Sequence, residues 1–295
     1  MLALTALYVP GDRPDRFRRA EESGADAVIV DLEDAVAPAH KAAARDNVLA
    51  WLSQAHGCRT EVRVNADPRW LSDDLAALAG TPPVGAGGRR GPDVVRLPKV
   101  GSVGDVRFVI PRLPAGATLT CLIESARGLE AAYDIARADR VGALAVGETD
   151  LAGDLGTEGE DALAWARSRV VVAARAAGLA APMMSVYPHV TDLEGLAESC
   201  RIGRRLGMVG RTVVHPRQVP VVVDAFAPTA AEVAAARETL AALSSAGEVD
   251  EGALALPDGR MLDPAMAARA RTTLALDETV RRHRGRLGRS PEPQP

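Results

Sequence analysis

Three acidic side chains follow an apolar run near the start of the chain. In "DAVIVDLEDAV" (26–36), Asp31, Glu33 and Asp34 fall within four residues, and no lysine or arginine lies between them. Like charges this close repel and raise one another's pKa, so the cluster needs a cation, a positioned proton or open water. The alternative is that these carboxylates cap the next helix and face solvent.

Two further carboxylates, Glu124 and Asp150, each close an apolar run, and one predicted helix separates the two runs. Carboxylates on adjacent parallel strands are well placed to hold a hard divalent cation such as Mg²⁺ and to leave positions for water or substrate oxygens. A structural alternative stays open, in which Glu124 pairs with Arg127 and Asp150 caps the helix that follows.

The elements that would position these residues alternate along the chain. Apolar runs typical of strands lie at 3–9, 26–32, 61–65, 93–99, 118–125, 142–147, 182–187 and 208–215. Amphipathic segments lie between most of them, which indicates parallel pairing. Eight units in roughly 220 residues have the count and size of a (β/α)₈ TIM barrel, and a doubly wound open sheet is the alternative.

The predicted α/β fold divides the chain into three parts. Residues 1–225 form the TIM-barrel catalytic domain, 226–285 a C-terminal helical lid extension, and 286–295 a disordered tail rich in proline. The Gly- and Pro-rich segment 80–93 precedes a strand, so we predict a surface loop there and not a phosphate cradle.

In a parallel barrel the active site lies at the carboxyl ends of the strands. There the third run ends in Arg63 and Asn65, the fourth in Lys99 and the eighth in His215. The strand-end acids are therefore predicted to share one site with these residues. We expect His215 to order the last loop, in preference to transferring a proton.

Composition narrows the function classes. The charge balance gives a net charge of -4, and aromatic residues make up 3 % of the chain, so neither nucleic acid nor a membrane is the expected partner. The cysteines, Cys58, Cys121 and Cys200, are odd in number and far apart, as buried thiols in a reducing cytosol would be. With no apolar run of about 18 residues, we expect a cytoplasmic protein.

Eight motifs carry a resemblance to a known family. They are "LYVPGDRPDRFRRA", "DAVIVDLEDAV", "RVN", "LPKV", "IESARGL", "GETDLAGDLG", "VHPRQ" and "GRMLDPAM". In this order, and from Leu7 to about Ala270, the chain resembles the citrate lyase beta-subunit-like proteins of the HpcH/HpaI aldolase superfamily.

The resemblance implies a Mg²⁺-dependent carbon–carbon lyase. Its substrate would be a 3-hydroxyacyl-CoA ester of the citryl-, malyl- or citramalyl-CoA type, and its products a keto acid and an acyl-CoA. A malyl-CoA thioesterase on the same site, or a non-catalytic CoA- or acyl-carrier-binding subunit of a larger complex, are the alternatives. The family also implies a homotrimer, or a hexamer.

Roles for particular residues follow from the same resemblance. Glu124 and Asp150 would be the metal ligands, and Arg63 would bind the keto-acid carboxylate and the polarised oxygen. Glu33 and Asp34 would act in catalysis around the outer metal shell, through water.

Substrate contacts are implied beyond the metal. Asp31 would belong to the substrate site, and Arg16 and Arg19 would lie near the CoA phosphates. Asp263 would be an acid or base that the C-terminal lid supplies to the neighbouring subunit. The chain departs from the family at Arg211, where the resemblance leads us to expect lysine.

Overall fold

Seven parallel strands form the central sheet of the computed structural model, which describes residues 3–54, 56–82, 91–245, 254–255, 261–262 and 264–287. The strands are β1 (Thr5–Pro10), β2 (Ala27–Asp31), β3 (Arg59–Arg63), β4 (Val94–Leu97), β5 (Thr118–Ile123), β6 (Val141–Val146) and β7 (Arg211–Val213). They lie in the order β6-β5-β4-β3-β2-β1-β7. Every residue of β2 is buried, which explains its continuous apolar run.

Helices follow most strands. They are α1 (Phe17–Glu21), α2 (Lys41–Leu52), α3 (Pro68–Ala79), α4 (Val103–Val109), α5 (Ala126–Ala136), α6 (Glu148–Leu155), α7 (Ala164–Ala176), α8 (Leu193–Arg205) and α9 (Gln218–Phe226). Side-chain caps fix the starts of four of them: Asp67, Ser102, Ser125 and Asp192 each accept a hydrogen bond from a first-turn N–H. These caps determine where the chain turns after a strand.

The predicted seventh strand, 182–187, is only partly formed. Met183 makes an isolated parallel bridge to Ala145 of β6, and Met184 makes another to Arg211 of β7. The prediction of eight strands is therefore confirmed for seven, in a parallel curled sheet flanked by helices. Ala6, Ala27 and Ile29 pack with Tyr8 and Met183 in a small apolar cluster.

A separate C-terminal unit begins at Ala227, whereas residues 3–226 form the first compact unit. It contains α10 (Ala230–Ser245), α11 (Pro264–Leu287) and the antiparallel pair β8 (Leu254–Ala255) and β9 (Met261–Leu262). The helices α10 and α11 contact each other, and both carry buried alanines. Asp263, part of the loop 80–93 (residues 83–90) and the predicted tail from 288 onward lie outside the described residues.

Two other expectations concern cysteines and membranes. Cys121 and Cys200 are buried and Cys58 is half-buried, and none of the three forms a disulfide. Burial raises the pKa of the Cys121 thiol, which favours its protonated form. Among the described helices, none is by itself both long and apolar enough to cross a membrane, although α9 and α10 together pass that test of length and composition.

Candidate active site

Arg63 contacts three acids, one at the end of β2 and two just after it. Its Nε and Nη2 donate to the two carboxylate oxygens of Asp31 at 2.7 and 2.6 Å, a bidentate pair. Its Nη1 lies 3.1 Å from oxygens of both Glu33 and Asp34. Asp31 and Arg63 are directly opposite each other in the β2–β3 register, so the strands themselves set this contact. The charge cluster is thus tolerated because a guanidinium lies in its centre.

The Asp31 carboxylate also accepts hydrogen bonds from the backbone. The N–H groups of Glu33 and Ala35 donate to its two oxygens at 2.9 and 3.0 Å, which fixes the turn after β2. Lys41 reinforces the same turn, since its buried ammonium donates to the carbonyl oxygens of Leu32 and Glu33. The acids therefore do not cap a following helix, which was the alternative for this segment.

Glu33 is the perturbed acid of the cluster. Burial raises its pKa to about 7, although Arg63 lowers it and a hydrogen bond from Lys99 at 3.0 Å lowers it further. One of its oxygens, Oε2, lies within ion-pair distance of Arg63 without forming a hydrogen bond to any described residue. Glu33 can therefore hold a proton close to neutral pH.

Glu124 follows β5 directly and is 6 % exposed. Its Oε2 accepts a hydrogen bond from the backbone N–H of Lys99 at 2.7 Å. Lys99 adopts a left-handed conformation (φ 55°), which is costly for a residue with a side chain and which presents that N–H to the carboxylate. Burial raises the pKa of Glu124, and the charge of Asp150 adds to this effect.

Gly147 gives the Glu124 carboxylate its space. A Cβ at this position would overlap the carboxylate and the Cγ of Glu124. The residue between β6 and α6 must therefore be glycine for the Glu124 side chain to keep its position. Glu124 makes no ion pair with Arg127 among the described contacts, in contrast to the structural alternative for this residue.

Asp150 lies on a helix and not at the end of a strand. The strand β6 ends at Val146, and Asp150 is an exposed residue of the first turn of α6. Gly147 is the N-cap of this helix, so Asp150 is not a capping residue. Glu124 and Asp150 line the same cavity, and the charge of Asp150 helps to raise the pKa of Glu124.

One cavity of about 390 Å³ collects most of the predicted site. Predicted residues that line it are Asp31, Asp34, Arg63, Glu124 and Asp150. Glu33 lines an adjoining cavity of about 540 Å³ together with Lys99, Lys41 and Trp70, and Asp34 lines both cavities. The strand-end acids thus share one region, as the sequence predicted.

Other predicted residues lie elsewhere. Arg16 and Arg19 are exposed and line neither cavity, and Asp263 is outside the described residues. His215 is exposed, and its Nδ1 accepts a hydrogen bond from the N–H of Arg217, which is consistent with ordering the last loop.

Arg211 is buried and forms part of a polar network that sequence reasoning missed. It donates to the carbonyl oxygen of Ser185 and to Ser199, and Ser199 donates to Glu160. In this fold the arginine therefore supports the segment at 182–187, and it lines neither cavity.

The same network reaches the helix that carries Asp150. Arg167, 1 % exposed, donates to both carboxylate oxygens of Glu148 at 3.0 and 2.7 Å and to Glu160 at 2.6 Å. Glu148 is the first residue of α6 and lines the cavity. Arg167 thereby connects α7 to the first turn of α6. In the sequence, an arginine on the otherwise apolar face of α7 indicates such a buried ion pair.

The charges of the site fit a divalent cation. The five predicted carboxylates lie in the region of the two cavities together with four cationic side chains, which are Arg63, Arg96, Lys41 and Lys99. No group of three or more His, Cys, Asp or Glu side chains with metal-ligand geometry occurs in the described part of the chain. Two carboxylates with the remaining positions filled by water or substrate oxygens suit Mg²⁺, which keeps several waters in most protein sites.

Comparison with known proteins agrees with this geometry. Residues 4–216 match the model of the HpcH/HpaI aldolase/citrate lyase family. The chain belongs to this family. A (3S)-malyl-CoA thioesterase of Cereibacter sphaeroides is 35 % identical over 282 residues, covering 94 % of this chain and 95 % of the relative.

Two more similar proteins are a lyase and a protein with a solved structure. An L-malyl-CoA/beta-methylmalyl-CoA lyase of Cereibacter sphaeroides is 32 % identical over 308 residues, covering 93 % of this chain and 94 % of the relative. The crystal structure of CitE from Mycobacterium tuberculosis in complex with magnesium, acetoacetate and coenzyme A superimposes with a TM-score of 0.77. It is 34 % identical and covers 94 % of this chain and 98 % of its own.

Proposed function

We propose that this member of the HpcH/HpaI family is a Mg²⁺-dependent carbon–carbon lyase for a 3-hydroxyacyl-CoA ester. The observation that carries the proposal is the cavity in which Glu124 and Asp150 lie with Arg63 and the acids after β2. Relatives named as a malyl-CoA lyase and a CitE complexed with magnesium and coenzyme A support the same chemistry. Glu124 and Asp150 would hold the metal.

Cleavage breaks the bond between C2 and C3 of the ester. The 3-hydroxyl loses its proton and becomes the carbonyl of the keto acid, and the electron pair of the broken bond passes to the thioester as an enolate. Bound Mg²⁺ supplies Lewis-acid stabilisation of the oxygen that carries the developing charge. Protonation of the enolate carbon completes the acyl-CoA.

Residues of this chain prepare the site for that step. The N–H of Lys99 orients the Glu124 carboxylate, and Asp31 holds Arg63 through a bidentate pair. These contacts are made by the protein's own groups, and they would hold the charges in position for the ester. Arg63 lines the cavity, where it would bind the keto-acid oxygens, and the raised pKa of Glu33 lets this side chain hold a proton beside Arg63.

Other assignments rest on the family resemblance. We propose that Arg16 and Arg19, which are exposed on the β1–α1 side, approach the CoA phosphates. Asp263 would serve as the acid or base from the lid of a neighbouring protomer in a trimer. The eight-unit barrel would be completed by residues 182–187, a proposal supported by their two parallel bridges to β6 and β7.

The metal assignment is tested by calorimetry with Mg²⁺. Glu124→Gln and Asp150→Asn should each lose Mg²⁺ binding and turnover while keeping the fold, because a neutral amide binds a hard cation poorly. The matched control is Glu158→Gln, which changes an exposed acid outside both cavities and should leave binding unchanged. Unaltered Mg²⁺ affinity in both site variants would show that the metal lies elsewhere.

A thioesterase is the second candidate, favoured by a relative that is named as one. Product analysis separates the two reactions on citryl-, malyl- and citramalyl-CoA. The lyase gives a keto acid and an acyl-CoA with its thioester intact, whereas the thioesterase gives free CoA and the undivided hydroxy acid. A chain that releases neither from any of the esters would support a non-catalytic binding subunit.

A further inference from the structure

A second guanidinium, that of Arg96, lies in the wall of the cavity of about 390 Å³. Arg96 is on β4, where it is the register partner of Arg63 on β3, and it is 4 % exposed. Both guanidinium groups lie close to the ring of Tyr8, whose centroid is 5.0 Å from Cζ of Arg63 and 5.9 Å from Cζ of Arg96. The two arginines and the tyrosine line the same cavity.

The charge of Arg96 is only partly compensated. Its Nη1 donates to Oε2 of Glu61 at 2.8 Å, but the other oxygen of the same carboxylate accepts from Nε of Arg59 at 2.9 Å. One carboxylate thus serves two guanidinium groups, of which Arg59 is 37 % exposed to solvent and Arg96 is buried. A buried charge without full compensation is costly, so its retention calls for a partner.

The hydrogen bonds of Arg96 are also incomplete. Its Nε is buried and has no hydrogen-bond partner among the described residues. Arg63 differs, since Asp31, Glu33 and Asp34 all lie within ion-pair distance of it. Of the two cavity arginines, Arg96 is therefore the one with fewer carboxylate partners, Glu61 against three for Arg63.

We propose that Arg96 binds a second carboxylate of the substrate, on the keto-acid half. The substrate class is then an ester whose keto-acid product is a dicarboxylate, such as oxaloacetate, and not a monocarboxylate such as pyruvate or glyoxylate. This assignment rests on the proposed lyase function. In it, Arg63 binds the first carboxylate of the keto acid and Arg96 binds the second. The planar guanidinium matches a carboxylate, and a charge-assisted hydrogen bond in a buried cavity discriminates strongly.

Binding of oxaloacetate and of pyruvate, measured by calorimetry on the full chain with Mg²⁺, tests this proposal without turnover. The wild type should bind oxaloacetate more tightly than pyruvate. Arg96→Met should weaken oxaloacetate binding roughly 10- to 100-fold and leave pyruvate binding almost unchanged. The ratio of kcat/KM for citryl-CoA over citramalyl-CoA should fall by a similar factor.

Two further variants separate recognition from structure. Glu61→Gln removes the compensating anion and keeps Arg96, so it should hold or increase the preference for oxaloacetate. Arg96→Met combined with Glu61→Gln leaves no unpaired carboxylate in the sheet and should lose the preference even if Arg96→Met alone folds poorly. A purely structural role would instead lower binding of both acids together in all three variants.

The outcomes distinguish this proposal from the lyase itself. If the wild type binds Mg²⁺ and cleaves an ester but binds pyruvate as tightly as oxaloacetate, the role of Arg96 is overturned and the lyase stands. Equal weakening of both acids in the double variant would overturn it too. If the wild type neither binds Mg²⁺ nor cleaves any ester, the lyase function itself fails.

Discussion

Individual side chains of this site could be predicted to different extents. The acids after β2 were identifiable because they directly follow an apolar run, and their shared partner Arg63 also ends a strand. The sequence does not single out Arg96, because this residue lies inside the largely apolar run "DVVRLPK". Its alignment with Arg63 emerges only from the β3–β4 register, which a sequence does not specify.

Glu33 gives a pH-dependent prediction at the scale of one residue. Its native pKa of about 7 exceeds the 4.5 of an exposed glutamate, because burial penalises the charged form. As the pH rises above about 4.5, the unfolded state loses this proton first, so stability falls until the pH exceeds about 7. The metal-free wild type should therefore lose about 3 kcal/mol of unfolding free energy relative to Glu33→Gln across this window.

The measurement is urea denaturation of both proteins in EDTA at several pH values between 4 and 8. Glu33→Gln is the reference because it keeps the size of the side chain and removes the titration. A constant difference between the two proteins over this range would mean that Arg63 and Lys99 keep Glu33 ionised, contrary to its raised pKa.

At the scale of elements, the alternation of strands and helices was the strongest sequence signal. Seven of the eight apolar runs form strands of the parallel sheet, since hydrophobic runs bounded by turn residues specify buried parallel strands well. The run 182–187 begins at Pro182 and makes only single bridges. A proline lacks the N–H that a continuous ladder of hydrogen bonds between strands needs. The apolar character of the run does not reveal this limit on strand pairing.

The sequence predicts Asp150 at the end of a strand, whereas this residue lies in the first turn of the helix that follows, α6. The end of β6 and the start of α6 are separated by one residue, Gly147. Sequence patterns locate such boundaries poorly, because the helix-favouring stretch "ETDLAGDL" begins without a side-chain cap. The carboxylate still reaches the site, because the first turn of α6 borders the cavity.

Gly147, which lies between β6 and α6 and close to Glu124, provides a testable prediction. Gly147→Ala should reduce Mg²⁺ affinity at least about tenfold, because the new Cβ overlaps the carboxylate and displaces it from the N–H of Lys99. The backbone itself tolerates alanine there, since φ is -94°. The effect would therefore come from space and not from the backbone.

Gly153→Ala is the matched control on the same helix. A Cβ at Gly153 meets no atom within 4 Å, so this variant should keep Mg²⁺ affinity and stabilise α6 by roughly 0.5–1 kcal/mol. Calorimetry with Mg²⁺ and a thermal melt measure both effects. Wild-type affinity in Gly147→Ala would show that Glu124 can move without losing the metal.

At the scale of the whole molecule, the sequence predicts a catalytic domain over residues 1–225 and a C-terminal lid extension over 226–285. The described residues form one compact unit over 3–226 and another that begins at Ala227, close to the predicted boundary at 225. The contacts of the described residues show how the first unit is formed. They do not assign a role to Asp263, which lies outside the described residues. That role rests on the family resemblance, which predicts a lid that acts on the neighbouring protomer of a trimer.

Subunit complementation tests the lid in the assembled protein. Asp263→Asn keeps the metal site and loses the lid acid, whereas Glu124→Gln loses the metal site and keeps the lid. Each variant alone should be nearly inactive. When the two are mixed under conditions that allow subunits to exchange, some interfaces pair an intact metal site with an intact lid, so part of the activity should return.

The amount of recovered activity is itself informative. Because a mixed interface needs one subunit of each kind in the correct order, random mixing of equal amounts should restore roughly a quarter of the wild-type activity per site. Exchange is followed independently by mass spectrometry of differently labelled subunits. If exchange is complete and the mixture stays inactive while native mass spectrometry shows oligomers, then each lid closes on its own barrel or Asp263 takes no part in the reaction.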